Sequence, residues 1–411
     1  MKSWLNNVMQ IMPIRLAKSV LRPVRKALRD IRDSNRRRRI VTVEPPAGIR
    51  SRGRVLFSYL PEAVLLDPQH PIMEGHSNYW ESREIALIFA RLGFLVDAVA
   101  WDNLAFYPAR EDYSVLFDIG INLQRWAPLF PSSVKKLMHI TGSYWHYSFQ
   151  AEMARIAALH ERRSALYAPK RTVLYPELHE LSISQADACT LIGNQHTLET
   201  FPAKYRSKIR TVPVSASPVL RPKQVGNYVP QERGFLWFFG SGAVHKGLDL
   251  VLEVFAETPQ LTLHVVGNVF SEPDFARIYR KELLETNNIR YHGYLPARSR
   301  AFADILNQCF CFIAPSCSEG ISPAVATCLQ AGLLPIISQD VGVTLPGDCG
   351  VTLARCDVDT IREAVLSCFE LPHETAERQI RVAQALGMET FSREAFSRAM
   401  EGALRAALNL E

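Results

Sequence analysis

Apolar and polar residues alternate along this chain in two successive series of predicted strands and helices. The first series opens with a β-rich run at residues 53–60, followed by residues 81–92, where Ile85 and Ile88 fall on one helical face. A strand-like run at 94–101 completes a βαβ unit. Further strand candidates are residues 114–119, 134–140, 188–193 and 209–214, with helical patterns at 148–163 and 197–205.

A polar stretch with three prolines, between Pro218 and Pro230, is typical of a linker between the two series. The second series predicts strands at 235–239, 261–266, 289–294, 309–314 and 333–338, and helices at 248–257, 274–286, 299–308, 322–331, 358–369, 374–387 and 392–409. Such alternation indicates an α/β fold with two parallel sheets, each with helices on both faces. Ligands bind beyond the carboxyl ends of such strands, so two sheets that face each other form a cleft for chemistry.

The chain length fits this organisation, because 411 residues suit two domains of roughly 100–200 residues each. We expect a basic N-terminal arm at 1–45 and an N-terminal Rossmann-like domain at 50–220. A C-terminal helix at 392–411 is expected to complete that domain. The C-terminal Rossmann-like domain is expected at 230–388.

The formal net charge of +6 is distributed unevenly. Residues 1–39 contain twelve Lys and Arg and two Asp, so this arm carries +10 and the rest of the chain −4. Apolar residues recur at steps of three and four from Trp4 to Val20, which predicts an amphipathic helix over 3–32. Such a helix would lie on an anionic membrane surface. We therefore expect a cytoplasmic protein that is held peripherally on the inner membrane face by its arm.

Three other interpretations of the arm stay open: a solvated disordered tail, an organellar transit peptide and a nucleic-acid-binding segment. The basic residues are not interleaved with aromatic ones and the rest of the chain has no basic surplus, so we expect no nucleic-acid partner. No window approaches the ~20 apolar residues that a membrane-spanning helix needs. Arg15, Lys18 and Arg22 interrupt any secretory signal core.

The eight cysteines all follow residue 188, and none forms a pair of C-x2-C units at zinc-ribbon spacing. Cys309 and Cys311 lie within an apolar strand pattern. This distribution favours free, mostly buried thiols in a reducing cytosol over a disulfide framework.

The segment GSGAVHKG at 240–247 lies between a predicted strand and a predicted helix. A glycine-rich turn at a helix N-terminus presents free backbone N–H groups and the positive end of the helix dipole, which suit a phosphate or diphosphate. Lys246 adds a cation at that point. The segment matches neither G-x-G-x-x-G nor a Walker A loop.

The segment PSCSEGISPAVATCLQAG at 315–332 follows a predicted buried strand. Glu319 and Gly320 form a turn ahead of a helix that begins near Ser322. A carboxylate at this place either satisfies the helix dipole as a cap or acts on a ligand.

Together the two segments resemble the family-4-type glycosyltransferases (glycosyl transferases group 1) of the GT-B fold, which pair two Rossmann-like domains across a cleft. That family has a G-R-x4-K-G loop and a later P-S-x-x-E-G-F-G segment, and a second Glu follows in the next helix. Here the counterparts are the loop that ends in Lys246 and Gly247 and the segment P-S-C-S-E-G-I-S. The resemblance covers about 230–370.

The resemblance implies that Lys246 binds the diphosphate of a nucleotide-sugar and that Glu319 contacts the donor sugar. Backbone N–H groups of Gly320, Ile321 and Ser322 would approach the sugar and the phosphates. The other positions expected at the donor are Gly240, Ser241, Gly242, Gly247, Gly267, Ser318 and Thr327.

Two departures from the family pattern matter. Ser241 stands where the family has its loop arginine, which removes one cation facing the diphosphate. Thr327 stands where the family has its second glutamate, which usually holds the ribose hydroxyls. A single hydroxyl there replaces a charged bidentate acceptor, a difference of about 1–2 kcal/mol.

The N-terminal half offers candidates at two strand ends. His139 ends the predicted strand 134–140 and is followed by Gly142 and Ser143. In related enzymes a histidine near this place approaches the transferred sugar, so His139 is expected either to contact the sugar or acceptor or to be a structural histidine. The loop EGHSNYWE at 74–81 adds His76, Asn78 and Glu81 on the acceptor side, although Glu81 can equally cap its helix.

The resemblance implies a metal-independent, retaining transfer of sugar from a nucleotide-sugar to a glycan or lipid-linked acceptor, in the synthesis of cell-surface polysaccharide or glycoconjugates. No cofactor and no metal are expected beyond the donor. Lys246 and backbone N–H groups would stabilise the leaving phosphate. The D-x-D sequence at Asp357 begins a predicted helix, where a cap is favoured over a metal ligand. Two alternatives stay open: a non-catalytic subunit that binds sugar nucleotides, and a nucleotide-sugar epimerase of the same architecture.

Overall fold

Two β-sheets flanked by helices form the core of the protein in the computed structural model, which describes residues 39–75, 77–173, 175–220, 222–223, 233–347 and 349–410. The strands of the first sheet are β1 (Val41–Val43), β2 (Gly53–Tyr59), β3 (Phe94–Ala100), β4 (Tyr113–Asp118), β5 (Lys135–Ile140), β6 (Ala188–Ile192) and β7 (Ile209–Val212). Those of the second are β8 (Gly234–Phe238), β9 (Leu263–Val266), β10 (Ile289–Gly293), β11 (Cys309–Ala314), β12 (Leu334–Ser338) and β13 (Val351–Leu353).

The strand orders are β1-β3-β2-β4-β5-β6-β7 in the first sheet and β10-β9-β8-β11-β12-β13 in the second. Neighbouring strands pair in parallel, with one exception: β1 runs antiparallel to β3 at the edge of the first sheet. The α/β prediction with two parallel sheets is therefore confirmed, apart from this edge strand. Three residues are too few to stand out as a strand in the sequence pattern.

Helices connect the parallel strands of both sheets. In the first half they are α1 (Pro61–Leu65), α2 (Pro71–Gly75), α3 (Ser77–Arg91), α4 (Leu123–Trp126), α5 (Trp145–Arg163), α6 (Pro176–Gln185), α7 (Gln195–Glu199) and α8 (Ala203–Arg206). In the second half they are α9 (Leu248–Ala256), α10 (Pro273–Ile278), α11 (Arg280–Leu284), α12 (Arg300–Leu306), α13 (Pro323–Gln330), α14 (Val358–Phe369), α15 (His373–Thr390) and α16 (Arg393–Ala407).

Burial explains why the central strands are almost continuously apolar. Every residue of β11 is buried, and Phe310 packs edge-to-face on Phe235 of β8 with ring centroids 5.1 Å apart. In the first sheet Phe57 stacks on Phe117 at 5.0 Å, and Phe89 of α3 covers the pair. Helices cover both faces of a parallel sheet, so the side chains on either face of a central strand pack against apolar neighbours.

The last helix returns to the first sheet. α16 packs against α3, β6 and β7, and Ser397 donates to Glu84 of α3 at 2.8 Å. The chain thus crosses between the sheets twice, once after β7 and once between α15 and α16. The two crossings touch, because the Ala216 amide donates to the Phe391 carbonyl at 2.9 Å. We call the first sheet with its helices the N-terminal domain and the second sheet with its helices the C-terminal domain.

Residues 1–38, and with them nearly all of the basic arm, lie outside the described residues. Most of the linker expected between Pro218 and Pro230 lies outside them too. No helix in the described part of the chain is long and apolar enough to cross a membrane.

Candidate functional site

A cleft of about 790 Å³ lies between the two domains at the carboxyl ends of their strands. Its walls come from residues at or after the carboxyl ends of β2 to β7 on one side and of β8 to β11 on the other. A smaller cavity of about 180 Å³ adjoins it, and Glu319 lines both. The placement at facing strand ends agrees with the sequence-based prediction of a cleft.

Lys246 and Glu319 form an ion pair in this cleft. Lys246 lies in the loop after β8 and Glu319 in the loop after β11, and the two loops are adjacent because β8 and β11 are neighbours in the sheet. Both side chains are more than nine-tenths buried. The Lys246 ammonium also lies 5.3 Å from the centroid of the Phe239 ring. Since Ser322, and not Glu319, is the N-cap of α13, the interpretation of Glu319 as a simple cap is wrong.

Burial lowers the pKa of Lys246 well below its ordinary value, and the positive charge of Arg171 lowers it further. The contact with the Glu319 carboxylate acts in the opposite direction. The pair is neutral as a whole, so an anionic ligand would bind the Lys246 ammonium by taking the place of the Glu319 carboxylate.

The backbone amides of the glycine-rich loop already have hydrogen-bond partners within the protein, and one of these partners is a side-chain carboxylate. Glu272 accepts hydrogen bonds from the amides of Gly242, at 2.5 Å, and Ala243, at 3.1 Å, while the Tyr167 hydroxyl donates to its other side at 2.6 Å. The amides of Lys246 and Gly247 bond to carbonyls within the loop. The expectation of free N–H groups is thus wrong at these four positions, because an internal anion and loop carbonyls already satisfy them.

Gly247, the residue after Lys246, shapes the loop by packing closely against Pro315. It is the N-cap of α9 with a φ of +71°, and a side chain there would meet Pro315 at 2.6 Å. Neither Gly247 nor Gly242 lines the cleft. Their predicted place at the donor is therefore wrong as a direct contact, since both shape the loop instead.

The turn at Gly320 touches the N-terminal domain. A side chain on Gly320 would lie 2.4 Å from the Ile192 carbonyl and 2.9 Å from the Thr141 carbonyl, and the Ser143 hydroxyl donates to the Glu319 carbonyl. The Ser322 amide donates to Val341, so its expected approach to a ligand is wrong. Within the described residues no hydrogen bond is made by the amides of Gly320 and Ile321.

Thr327 lines the cleft, but its hydroxyl is already engaged. It accepts from the Ser217 amide at 3.2 Å and donates to the Ser217 carbonyl at 3.3 Å. Residue 327 thereby fixes the first crossing between the domains. A hydroxyl held twice by backbone is a poor replacement for a carboxylate that holds a ribose.

His139 lies in the core and not at the cleft. It is fully buried, its Nδ1 lies 2.8 Å from the Thr190 hydroxyl, and the rings of Tyr59 and Phe117 flank it. Burial lowers the pKa of His139 to about 3. The expected contact with the sugar or acceptor is therefore wrong, and His139 has the structural role that the sequence left open.

Glu81 reaches the cleft from α3, and so does Asn78. Glu81 is 2% exposed and accepts two hydrogen bonds from Ser215, from the amide at 2.8 Å and the hydroxyl at 2.9 Å. Burial raises the pKa of Glu81 from 4.5 to about 7, although the bonds from Ser215 lower it. Because α3 begins at Ser77 and Ser215 takes the carboxylate, Glu81 is not a helix cap. His76 lies outside the described residues.

The segments that carry Lys246 and Glu319 are similar in sequence to a known protein family. Residues 233–370 match the family described as glycosyl transferases group 1. The matched segment spans most of the C-terminal domain. The match begins at β8 and ends after α14, so it contains Lys246 and Glu319. The resemblance seen in the two sequence segments is confirmed, and with it, at the level of the family, the prediction of a nucleotide-sugar-dependent glycosyltransferase.

Solved structures of other proteins share the whole two-domain architecture. Sucrose-phosphate synthase from Thermosynechococcus elongatus is 13% identical, with a TM-score of 0.56 over 87% of this chain and 100% of that chain. HepE of Anabaena in complex with UDP-glucose is 13% identical, with a TM-score of 0.50 over 86% of this chain and 100% of that chain. These likenesses show the GT-B fold. No curated protein matches the sequence.

The structure brings most of the predicted site residues of the N-terminal and C-terminal domains together in the cleft. The predicted residues that line the larger cavity are Asn78, Glu81, Gly240, Ser241, Lys246, Gly267, Glu319, Ile321, Ser322 and Thr327. Those that line the smaller cavity are Gly142, Ser143, Ser318, Glu319 and Gly320. The two groups meet at Glu319.

The cleft residues that the sequence did not predict include Arg171 and His179. Both line the larger and the smaller cavity, and both come from the connection between β5 and β6. His179 of α6 is neutral, since burial lowers its pKa to about 4. The local sequence PELHEL shows only a helix start at Pro176. No motif marks either residue, because the long helix α5 determines where this connection lies.

Two other predictions have clear outcomes. Asp357 is the N-cap of α14 and accepts from the Thr360 amide at 2.8 Å, which confirms the cap. None of the eight cysteines forms a disulfide; seven of them are buried and Cys356 is partly buried. No cluster of three or more His, Cys, Asp or Glu able to hold a metal occurs among the described residues.

Proposed function

We propose that this protein transfers a sugar from a nucleoside diphosphate sugar to an acceptor, without a metal ion and with retention of the anomeric configuration. The observation that carries the proposal is the buried Lys246–Glu319 pair at the facing strand ends, within the glycosyl transferase domain. The donor would lie against the C-terminal domain and the acceptor against the N-terminal domain.

The proposed reaction breaks the bond between the sugar C1 and the leaving phosphate oxygen. The acceptor oxygen forms its bond to C1 on the same face, and its proton passes to the departing phosphate. Negative charge grows on that phosphate in the transition state. A fixed, buried cation such as Lys246 stabilises this charge more than water does, because the dielectric around a buried group is low.

Glu319 supports the donor side of the proposal. In the free protein its carboxylate neutralises Lys246. When a diphosphate takes over Lys246, the same carboxylate is free to accept hydrogen bonds from sugar hydroxyls, which are charge-assisted and therefore strong. The amides of Gly320 and Ile321, at the start of the turn before α13, would complete the contact.

The acceptor side is mainly apolar. Tyr59, Leu60, Trp101, Ile119 and Ile121 line the cleft from the N-terminal domain, with Glu81 and Asn78 as polar groups among them. A glycan or lipid-linked acceptor fits such a wall, because sugar faces and acyl chains both pack on aromatic and aliphatic side chains. We further propose that residues 1–39 hold the enzyme on the cytoplasmic membrane face, where such acceptors occur.

The test is a transfer assay with a panel of donors. HepE, which shares the fold, binds UDP-glucose, so UDP-sugars come first and GDP-sugars second. Release of nucleoside diphosphate together with an acceptor product of unchanged anomeric configuration, seen by NMR without added metal, supports the proposal. A product of inverted configuration, or transfer only with added divalent metal, contradicts it.

One observation favours a second candidate, a non-catalytic subunit that binds sugar nucleotides. The loop amides of Gly242 and Ala243 and the hydroxyl of Thr327 are engaged within the protein. Donor binding without turnover, over varied acceptors, would support this candidate.

A further inference from the structure

The charge balance of the donor site is incomplete. Lys246 is paired with Glu319, so together they carry no net charge. The diphosphate of a nucleotide-sugar carries two negative charges. Ser241, in the same loop as Lys246, contributes no positive charge to balance them. A second cation is therefore expected beside the diphosphate.

Arg171 lies against the loop at this point. Its Cγ and Cδ are 2.8 and 3.0 Å from the place of a Cβ on Gly242, the residue next to Ser241. Gly242 has a φ of +87°, so glycine gives the loop both its shape and the room for the arginine stem. Arg171 lines both cavities that meet at Glu319.

The backbone of Arg171 is held and its guanidinium is free. The Arg171 amide donates to the buried carboxylate of Glu152 at 3.1 Å, and the Lys170 amide donates to the same carboxylate at 2.9 Å. Among the described residues the guanidinium forms neither a hydrogen bond nor an ion pair. Burial is the main cause of the lowered pKa of Lys246 and of His245, and the positive charge of Arg171 lowers both further.

We propose that Arg171, supplied by the N-terminal domain, is the second diphosphate-binding cation of this site. The inference rests on the proposed function, since it assigns a residue to the same donor. A planar guanidinium with several donors suits a diphosphate better than a further ammonium would.

This assignment has a consequence for the two domains. Lys246 comes from the C-terminal domain and Arg171 from the N-terminal domain, so a bound diphosphate is held by both. Donor binding then stabilises one arrangement of the cleft. Sugar without a diphosphate gains nothing from Arg171.

The test compares binding of UDP and UMP by calorimetry, with GDP and GMP in parallel, for the full chain and its variants. Arg171→Ala is expected to weaken diphosphate binding roughly 10- to 100-fold, as loss of a hydrogen-bonded charge pair does. Monophosphate binding should change less, so the ratio of the two affinities shrinks. Lys170→Ala is the matched control, because Lys170 pairs with Asp274 at 3.6 Å and does not line the cleft.

A compensating variant separates binding from folding. Ser241→Arg in the Arg171→Ala background places a guanidinium on the other side of Gly242 and should restore most of the diphosphate affinity. If wild type binds the diphosphate and Arg171→Ala binds it equally well, the inference is overturned while the proposed function stands. If wild type binds neither nucleoside diphosphate, the proposed function fails and the inference fails with it.

Discussion

Lys246 is only 6% exposed to solvent, and its ammonium contacts the Glu319 carboxylate and the face of the Phe239 ring. At the scale of residues, Lys246, Glu319 and Gly320 could each be singled out from the sequence, because each stands in a short segment between a strand and a helix that resembles a family motif; the contact between Lys246 and Glu319 was not predicted. Glu272 and Arg171 were not predictable. They meet the loop through tertiary packing, from segments whose own sequence carries no glycine pattern or motif.

Glu81 gives a prediction at the residue scale. Its pKa is raised from 4.5 to about 7, so the folded state binds its proton more tightly than the unfolded state does. The stabilisation is full below about pH 4.5 and is lost as the pH rises through about 7. Relative to wild type, Glu81→Gln should gain about 3 kcal/mol of unfolding free energy between about pH 4 and pH 8, since Gln keeps the acceptor for Ser215 without a charge.

Urea denaturation of both proteins across this pH range measures the difference. Glu84→Gln, which removes another carboxylate from the same helix, is the control variant. A constant offset between wild type and Glu81→Gln would contradict the buried, protonated state of Glu81.

At the scale of elements, α5 joins the two domains along one wall of the cleft. It belongs to the N-terminal domain, yet its last turn pairs with the C-terminal domain. Arg162 contacts Asp249 at 2.6 Å and Glu253 at 3.0 Å, and Arg163 contacts Glu253 at 3.0 Å and Glu282 at 2.8 Å. The sequence predicted a helix at 148–163, but nothing in its periodicity indicated that its end would contact another domain.

The ion pairs of α5 give a prediction at this scale. Asp249 is fully buried, so Arg162→Ala leaves a buried carboxylate without its closest cation and should cost about 3 kcal/mol of stability. Arg362→Ala is the control, since its partners Glu257 and Asp359 are mostly exposed and such pairs contribute about 0–1 kcal/mol. Thermal unfolding compares them. Equal losses in the two variants would contradict the structural importance of the α5 contacts.

At the scale of the whole molecule, the alternation of strands and helices predicted two α/β domains and the cleft between them. Every parallel strand except β13 was anticipated within a few residues. The edge strand β1, the short helices α1, α2 and α4, and α6 were not, because segments of three to ten residues leave too little periodicity. Charge is also divided unevenly over the whole molecule, because residues 1–39 carry a net charge of +10 and the rest of the chain −4.

The arm gives the prediction for the whole molecule. The full chain should sediment with vesicles that contain anionic lipid, and a chain starting at Val41 should not, because about 1 kcal/mol per Lys or Arg is lost with the arm. Binding of the full chain should weaken at high salt. Vesicles of neutral lipid are the control. Equal sedimentation of both chains with anionic vesicles would show that the arm is not the anchor.

The central claim is that Lys246 stabilises the leaving diphosphate in a sugar transfer. The most direct measurement is kcat/KM of transfer for wild type, Lys246→Ala and the control Lys135→Ala, whose lysine lies at the amino end of β5, away from the cleft. We predict a loss of roughly 100- to 1,000-fold for Lys246→Ala, as for removal of one transition-state charge partner, and no change for Lys135→Ala. Transfer by Lys246→Ala at the wild-type rate would contradict the account.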